Sequence, residues 1–364
     1  MALAALPDRP LVSVLVCNYN YERYVGAAIR SVLDQTYTNV EVVVCDDGST
    51  DRSREVISAE ASRDERVKPV FQENKGHAGA LNAAFAASVG DICCLLDSDD
   101  LFVPHKLSIV VEHLRDGSAG MFIHRMDVID PSGRHTQTIP LAPFERGWLG
   151  EKILRRGGRW TAVPTSGISF VRTVAEEAFP TPAERIPFAD PYLNVLLPLL
   201  TTVAASDLSL TLFRRHEDSS LGGAAAGRRM RWIAGRGGEN LTQKAVAKTI
   251  ETMTKVSDAV ALKVGSSPQL TGARFEGQRN LNLAEYSYFA HLLSGEVGRA
   301  ALVAESRELR RRVATDDLYG ARKKQAARVL YGVAPYLPVR FRTGWISLGF
   351  GLSSFKEFFR KILH

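Results

Sequence analysis

Apolar positions follow two alternating rhythms along the first part of the chain. Short runs, Val12 to Cys17, Val40 to Cys45, Val67 to Phe71 and Ile92 to Leu96, are each cut off by a polar cluster. Continuous apolar runs of this length are the pattern of strands buried on both faces of a parallel sheet. Between the first two, Val25, Ala28, Ile29, Val32 and Leu33 recur at the i, i+3, i+4, i+7, i+8 spacing of a single helical face. A second helix is expected to start near Ser49 to Asp51, whose side-chain oxygens suit the open amides of a first turn. A third is expected from about Ala78 to Val89, with Gly90 as its stop. A fourth is expected from Pro104, carrying Leu107, Val111 and Leu114 inward. Strand and helix alternate throughout, so the pattern predicts an α/β fold built on a doubly wound, mostly parallel sheet.

Beyond this the rhythm is mixed. Ser166 to Val171 and Leu208 to Phe213 read as strands, and Pro191 to about Thr201 reads as a helix. These complete one domain over residues 1–221. The run Gly222 to Gly227, GGAAAG, marks a boundary. Residues 222–364 then read as a helical region, through Leu241 to Val264 and Leu281 to Leu293, that ends in basic sequence.

Doubly wound sheets bind ligands beyond the carboxyl ends of their strands, where helix N-termini and loop amides converge. The positions to read are therefore Asn18 to Asn20, Asp46 to Asp51, Gln72 to Gly76 and Asp97 to Asp100. Asp97-Ser98-Asp99-Asp100 brings three carboxylates to one strand end. Such groups repel unless a cation or a set of donors neutralises them, and hard oxygen ligands suit Mg²⁺ or Mn²⁺, with a pyrophosphate completing the shell. The alternative is that these aspartates cap turns or the helix beginning at Pro104. In Asp46-Asp47-Gly48-Ser49-Thr50-Asp51, capping accounts for Ser49 to Asp51 but not for the doubled acids before the glycine.

The succession VSVLVCNYN, VEVVVCDDGSTD, NKGHAGALNAAFAASVGD and LLDSDD resembles the family 2 glycosyltransferases of GT-A fold over roughly residues 11–220. The resemblance implies that Asp47 hydrogen-bonds a nucleotide base, that Cys17 and Tyr19 border the base pocket, and that Asp97 faces the ribose. It implies a metal on Asp99 with Asp100 nearby. Family members often carry an arginine before the asparagine of the third motif. Here Leu81 precedes Asn82, which leaves Asn82 and Lys75 on the nucleotide-sugar and phosphate charge to the metal, Lys75 or His77. The family's catalytic base is usually an acid near the start of a helix in the second half. Ile186 to Leu193 fits that pattern with Asp190, although Asp followed by Pro191 also suits an N-cap and first helical residue. Phe213 to Ser220 resembles the segment that brings an Arg and a His toward the pyrophosphate, making His216 a third metal ligand or contact. The implied reaction is metal-dependent and inverting, from a nucleoside-diphosphate sugar with uridine favoured, to a hydroxyl of a glycan, lipid-linked or other acceptor.

Rival classes fit less well. A nucleotidyltransferase would carry a loop rich in glycine and arginine after its first strand, where this chain has CNYNYERY, and a dehydrogenase would carry GxGxxG there. A degenerate fold that only binds a partner is opposed by the retained acids. Among 364 residues, 45% hydrophobic and 24% charged content is ordinary for a globular chain. Cys17, Cys45, Cys93 and Cys94 sit within apolar runs and are expected to be buried free thiols. The opening MALAALPDRP lacks the features of a secretory signal, and no apolar run reaches the roughly 18 residues of a membrane span, so a cytoplasmic protein is expected. The net charge of +6 resides in residues 301–364, with 13 Lys+Arg against 5 Asp+Glu. Over residues 328–363, aromatic and basic side chains interleave, as in a helix lying at the inner face of a membrane, or in a packed terminal helix with a solvated face. Nucleic acid is not expected as a partner.

Overall fold

The computed structural model describes residues 3–155, 160–186, 188–216, 251, 254–256, 258–264, 284, 287–288, 291–292, 297–315 and 321–336. Strands β1 (Val12–Asn18), β2 (Val40–Asp47), β3 (Val67–Gln72) and β4 (Ile92–Asp97) pair in parallel in the order β3-β2-β1-β4. The chain winds outward from β1 to β3 and returns to the other side of β1 at β4. This reversal opens a crevice at the carboxyl ends of β1 and β4, where Cys17 and Asp97 are register partners. Every residue of β1 and β2 is buried, which is why their apolar residues run together without alternation.

The sheet continues as β8 (Ile168–Val171), β6 (Met121–Ile129), β9 (Val203–Arg214) and β5 (Leu101–Phe102), with β7 (His135–Ile139) paired to β6. β8 runs antiparallel between β4 and β6, while β6 and β9 are parallel. The result is a mixed, mostly parallel nine-stranded sheet.

Helix α1 (Val25–Leu33) buries Val25, Ala28, Ile29 and Val32 completely, on the face that the spacing predicted. Val25, Ile29 and Val32 each contribute roughly 1.5–3 kcal/mol when fully buried, so the amphipathic face outweighs the weak propensity of its branched residues. Helix α2 (Ser53–Arg63) starts later than expected. The Ser49 hydroxyl is engaged by Asp46 and by the Asn20 amide, and Asp51 Oδ1 instead receives the Ser53 amide at 3.0 Å. Helix α3 (Gly76–Ala87) starts two residues early and ends because Ser88 is extended, with φ −92° and ψ 155°. Gly90 is not its stop. A Cβ there would lie 2.7 Å from the Leu11 carbonyl oxygen, so this glycine permits close packing of the chain on β1. Helix α4 (Lys106–Leu114) follows Pro104 and buries Leu107, Val111 and Leu114. Then come α5 (Gly150–Arg155), α6 (Arg172–Ala175) and α7 (Asp190–Leu200).

The chain divides into two compact units. One holds the sheet through Arg215 and takes in helical residues from Lys255 on; the other includes His216 and the C-terminal helices. The expected boundary at residues 221 and 222, and the GGAAAG run, lie outside the described residues. In the second unit, α8 (Arg299–Thr315) buries Leu302, Leu309 and Val313. The Ser306 hydroxyl of α8 donates to the Tyr331 carbonyl of α9 (Ala321–Val333), whose ring meets Tyr288 edge-on. Most of the aromatic tail, from Phe341 onward, lies outside the described residues. Among those described, no helix is long and apolar enough to cross a membrane.

Candidate active site

The carboxyl ends of β1 to β4 carry the chemistry. At the end of β2 the two aspartates have different tasks. Asp46 is fully buried and accepts hydrogen bonds from Asn18 at 2.9 Å, from the Ser49 amide at 3.1 Å and from Arg54 at 3.0 Å. Burial pushes its carboxyl up, but bonds from Ser49, Asn18 and Arg54 outweigh this and hold it below the usual range. Asp47 Oδ1 receives Gln72 Nε2 at 2.7 Å and the Lys75 amide at 2.8 Å, which ties β2, β3 and the start of α3 together. Gly48 between them has φ +78°, and a Cβ there would sit 2.8 Å from the Asn74 amide nitrogen. Only glycine fits this turn without strain.

Cys17 is buried at the end of β1, and burial, with Cys45, Asp97 and Asp47 nearby, raises its thiol well above the ordinary value. All four cysteines are buried free thiols. Tyr19, by contrast, is 46% exposed. The Lys75 side chain is exposed, and its backbone forms the N-cap of α3. Asn82 engages Thr181 with both ends of its amide: Nδ2 donates to the Thr181 carbonyl at 2.8 Å, and Oδ1 receives the Thr181 amide at 2.8 Å. It fastens α3 to the loop after α6, an arrangement that does not support the expected nucleotide contact.

The turn after β4 is built to hold its acids close. Asp100 donates its amide to the Asp97 carbonyl at 3.0 Å, and the Asp97 amide donates to Ser166 Oγ at 2.9 Å. Asp100 Oδ1 receives the Arg214 amide at 2.8 Å. One carboxylate oxygen each from Asp97, Asp99 and Asp100 lie within 4.8 Å of one another. Asp100 is fully buried, and its Oδ2 has no hydrogen-bond partner. Burial, then the charges of Asp99 and Asp97, push its carboxyl well above the usual range. A buried oxygen without a donor beside like charges is what a hard divalent cation would neutralise, so the residues fit such an ion. They do not cap α4, whose N-cap is His105. Beneath the turn, the buried Lys106 donates to the Ser166 carbonyl at 2.8 Å and to Thr211 Oγ1 at 3.1 Å.

His77, in the first turn of α3, has Nε2 3.3 Å from Asp97 Oδ1 and its ring beside Phe188. Burial opposes its charge, but Asp97, with Asp190 and Asp47, raises its pKa. The sequence offered His77 only as an alternative source of phosphate charge. Its signal was its place just after the glycine that opens α3. Asp190 is the first residue of α7, while Ala189 occupies the N-cap position. Asn194 Nδ2 donates to the Asp190 carbonyl at 2.9 Å, and Trp160 Nε1 donates to the Asn194 carbonyl at 2.6 Å. His216 lies two residues beyond β9, is buried, and is not a member of the close carboxylate group.

This sheet, with an acidic turn beside its switch point, is of the GT-A type. Residues 13–179 match the family described as Glycosyl transferase family 2. This segment is thus a family 2 glycosyltransferase domain. Over 174 residues it is 42% identical to the uncharacterized glycosyltransferase alr2836 of Nostoc sp., covering 46% of this chain and 53% of that protein. Over 124 residues it is 37% identical to the UDP-Glc:alpha-D-GlcNAc-diphosphoundecaprenol beta-1,3-glucosyltransferase WfgD of Escherichia coli, covering 34% of this chain and 48% of that protein. The chain thus spans about half the length of these curated relatives. The structure of S. aureus TarS 1-349 in complex with UDP-GlcNAc is similar in fold, with a TM-score of 0.53 and 16% identity over 93% of this chain and 89% of that one.

Proposed function

We propose that this chain is a metal-dependent, inverting glycosyltransferase that moves a sugar from a uridine-diphosphate sugar to a hydroxyl of a glycan or lipid-linked acceptor. The observation that carries the proposal is the close trio Asp97, Asp99 and Asp100 at the mouth of the β1–β4 crevice. In this reading Asp47, Cys17 and Tyr19 take the base, Asp97 takes the ribose, and Lys75 lies toward the phosphates. Asp99 and Asp100 hold Mn²⁺ or Mg²⁺. The names of WfgD and of the TarS complex, which mention UDP-Glc and UDP-GlcNAc, support the choice of uridine. The diphosphoundecaprenol in the name of WfgD supports a lipid-linked acceptor and a peripheral contact of the basic tail with the membrane.

Asp190 removes the proton of the acceptor hydroxyl as that oxygen attacks the anomeric carbon. The bond from that carbon to the diphosphate breaks on the opposite side, so the configuration inverts. A bound divalent ion supplies charge stabilisation to the departing diphosphate. His77 beside Asp97, and the Trp160–Asn194 anchor beneath Asp190, keep the acids in place without entering the reaction.

Calorimetric titration of UDP in Mn²⁺, repeated after chelation and with Asp99→Ala, tests the reading. Binding that requires both the ion and Asp99, with release of UDP from UDP-sugars, is expected. UDP affinity indifferent to chelator and to Asp99 would remove the metal from the proposal, and an absence of UDP binding would remove the uridine donor.

A further inference from the structure

The loops that follow β1 and β2 are laced together by hydrogen bonds that neither strand pairing nor helix formation requires. Asn20 Oδ1 receives the Thr50 amide at 2.7 Å and the Thr50 hydroxyl at 3.3 Å, while the Asn20 amide donates to Ser49 Oγ at 2.9 Å. One residue upstream of Tyr19, Asn18 Nδ2 donates to Asp46 at 2.9 Å and to Ser49 Oγ at 3.2 Å. Further along, the Glu22 amide donates to Asp51 Oδ2 at 2.9 Å, and the Arg52 amide donates to Glu22 Oε2 at 2.7 Å. The first loop therefore cannot shift without the loop that follows Asp47.

Asn20 also has a backbone reason to be what it is. Its φ is +59°, the one positive φ at a non-glycine residue among those described. Asparagine is among the few side chains that tolerate this conformation. The left-handed residue turns the chain sharply just after Tyr19. Tyr19 is thus bracketed by two residues that are each fastened to the second loop, while its own ring stays half in solvent. An exposed aromatic ring on a fixed backbone is a stacking surface prepared before its ligand arrives, and a prepared surface loses less freedom on binding.

We infer that Asn20 is a positioning residue for the nucleotide: its left-handed backbone and its bonds to Thr50 hold Tyr19 as a ready platform for a nucleobase. This rests on the reading that a nucleotide occupies the β1–β4 crevice. Asn20→Gly keeps the backbone conformation and deletes the side-chain bonds. Asn20→Asp keeps the acceptor oxygen and the tolerance of positive φ.

UDP affinity by calorimetry, kcat and KM for a UDP-sugar, and thermal unfolding are to be measured for the wild type, these two variants, Tyr19→Ala, and Tyr19→Ala combined with Asn20→Gly. Asn20→Gly is expected to weaken UDP binding about tenfold and to raise KM in parallel, with kcat and Tm nearly unchanged. Asn20→Asp restores binding to within about threefold, and Tyr19→Ala adds little on top of Asn20→Gly, because both remove one platform. Wild-type affinity in Asn20→Gly, or full additivity with Tyr19→Ala, overturns this inference alone. A wild-type protein that binds no UDP overturns the functional reading and the inference with it.

Discussion

The amide of Arg214 donates to Asp100 Oδ1 at 2.8 Å, so the last residue of β9 closes the acidic turn that follows β4. The Arg214 Nε donates to the Asp99 carbonyl at 3.1 Å and completes the closure. This fixes Asp100 in full burial, where its carboxyl is pushed well up by desolvation and by Asp99 and Asp97. Between the ordinary carboxyl value and the raised one, the folded protein keeps a proton that the unfolded chain has lost, so stability falls as pH rises through that window. Asp100→Asn retains an acceptor for the Arg214 amide and removes the charge. The metal-free variant is therefore expected to unfold at a higher temperature than the wild type at about pH 7.5, with the gap closing near about pH 4. Sugar transfer falls at least about tenfold as the cation site loses a charged ligand. A variant that melts lower than the wild type at both pH values would count against this account of the turn.

Asp190→Asn separates the helix from the chemistry. Ala189 occupies the N-cap, and the Asn194 contacts reach the Asp190 carbonyl rather than its carboxylate, so α7 is expected to stay in place. Loss of a general base predicts turnover lower by about 10²- to 10⁴-fold with UDP affinity within about twofold of the wild type. Rapid-mixing assays of transfer beside calorimetry give both numbers. Turnover kept near the wild-type rate would move the base elsewhere.

Gly48→Ala tests whether the turn after β2 is dictated by its backbone. With φ +78° and a backbone nitrogen 2.8 Å from the added Cβ, the substitution must strain the residue or displace the loop at Asn74. A cost above about 1 kcal/mol in urea unfolding is expected. UDP affinity should drop as well, because Asp47 and the Lys75 amide meet across this turn. Unchanged unfolding would mean that the loop yields freely.

The elements that could be read in the sequence are those whose signal is local. β1, β2 and β4 each carry a run of apolar residues because these strands are buried almost throughout, and α1 carries an uninterrupted helical stripe. β6 had no such signal. Its run MFIHRMDVI includes Arg125 and Asp127, which are accommodated by Asp207 and by Thr138 and Ser209. Partners that distant in sequence leave no periodic mark. The same holds in the site. The three acids after β4 stand side by side in the chain and announce themselves, whereas Asn82 is claimed by Thr181, 99 positions on. Ser49 looked like a helix cap because its competitors, Asn18 and Asn20, lie at the end of β1 and in the loop after it.

Lys106 could not be told from a surface lysine of α4 by its sequence, yet it is fully buried, with its ammonium over the Phe102 ring and donating to Ser166 and Thr211. Burial pulls its pKa down to about 7, against the pull of Cys94 and Asp100 in the other direction. Between that value and the roughly 10.4 of a free lysine, the unfolded chain holds a proton that the folded protein lacks. Stability should therefore rise with pH across this window, by up to about 1.4 kcal/mol per unit from this group. Lys106→Met removes the titration and occupies similar space, and the Thr211 hydroxyl still donates to the Ser166 carbonyl. In metal-free urea unfolding, the variant is expected to match or exceed the wild type near about pH 6.5, since a buried charge without a close counterion costs stability. The wild type should then gain on it toward about pH 9. Parallel stability curves for the two proteins across that range would show that the buried amine does not titrate there.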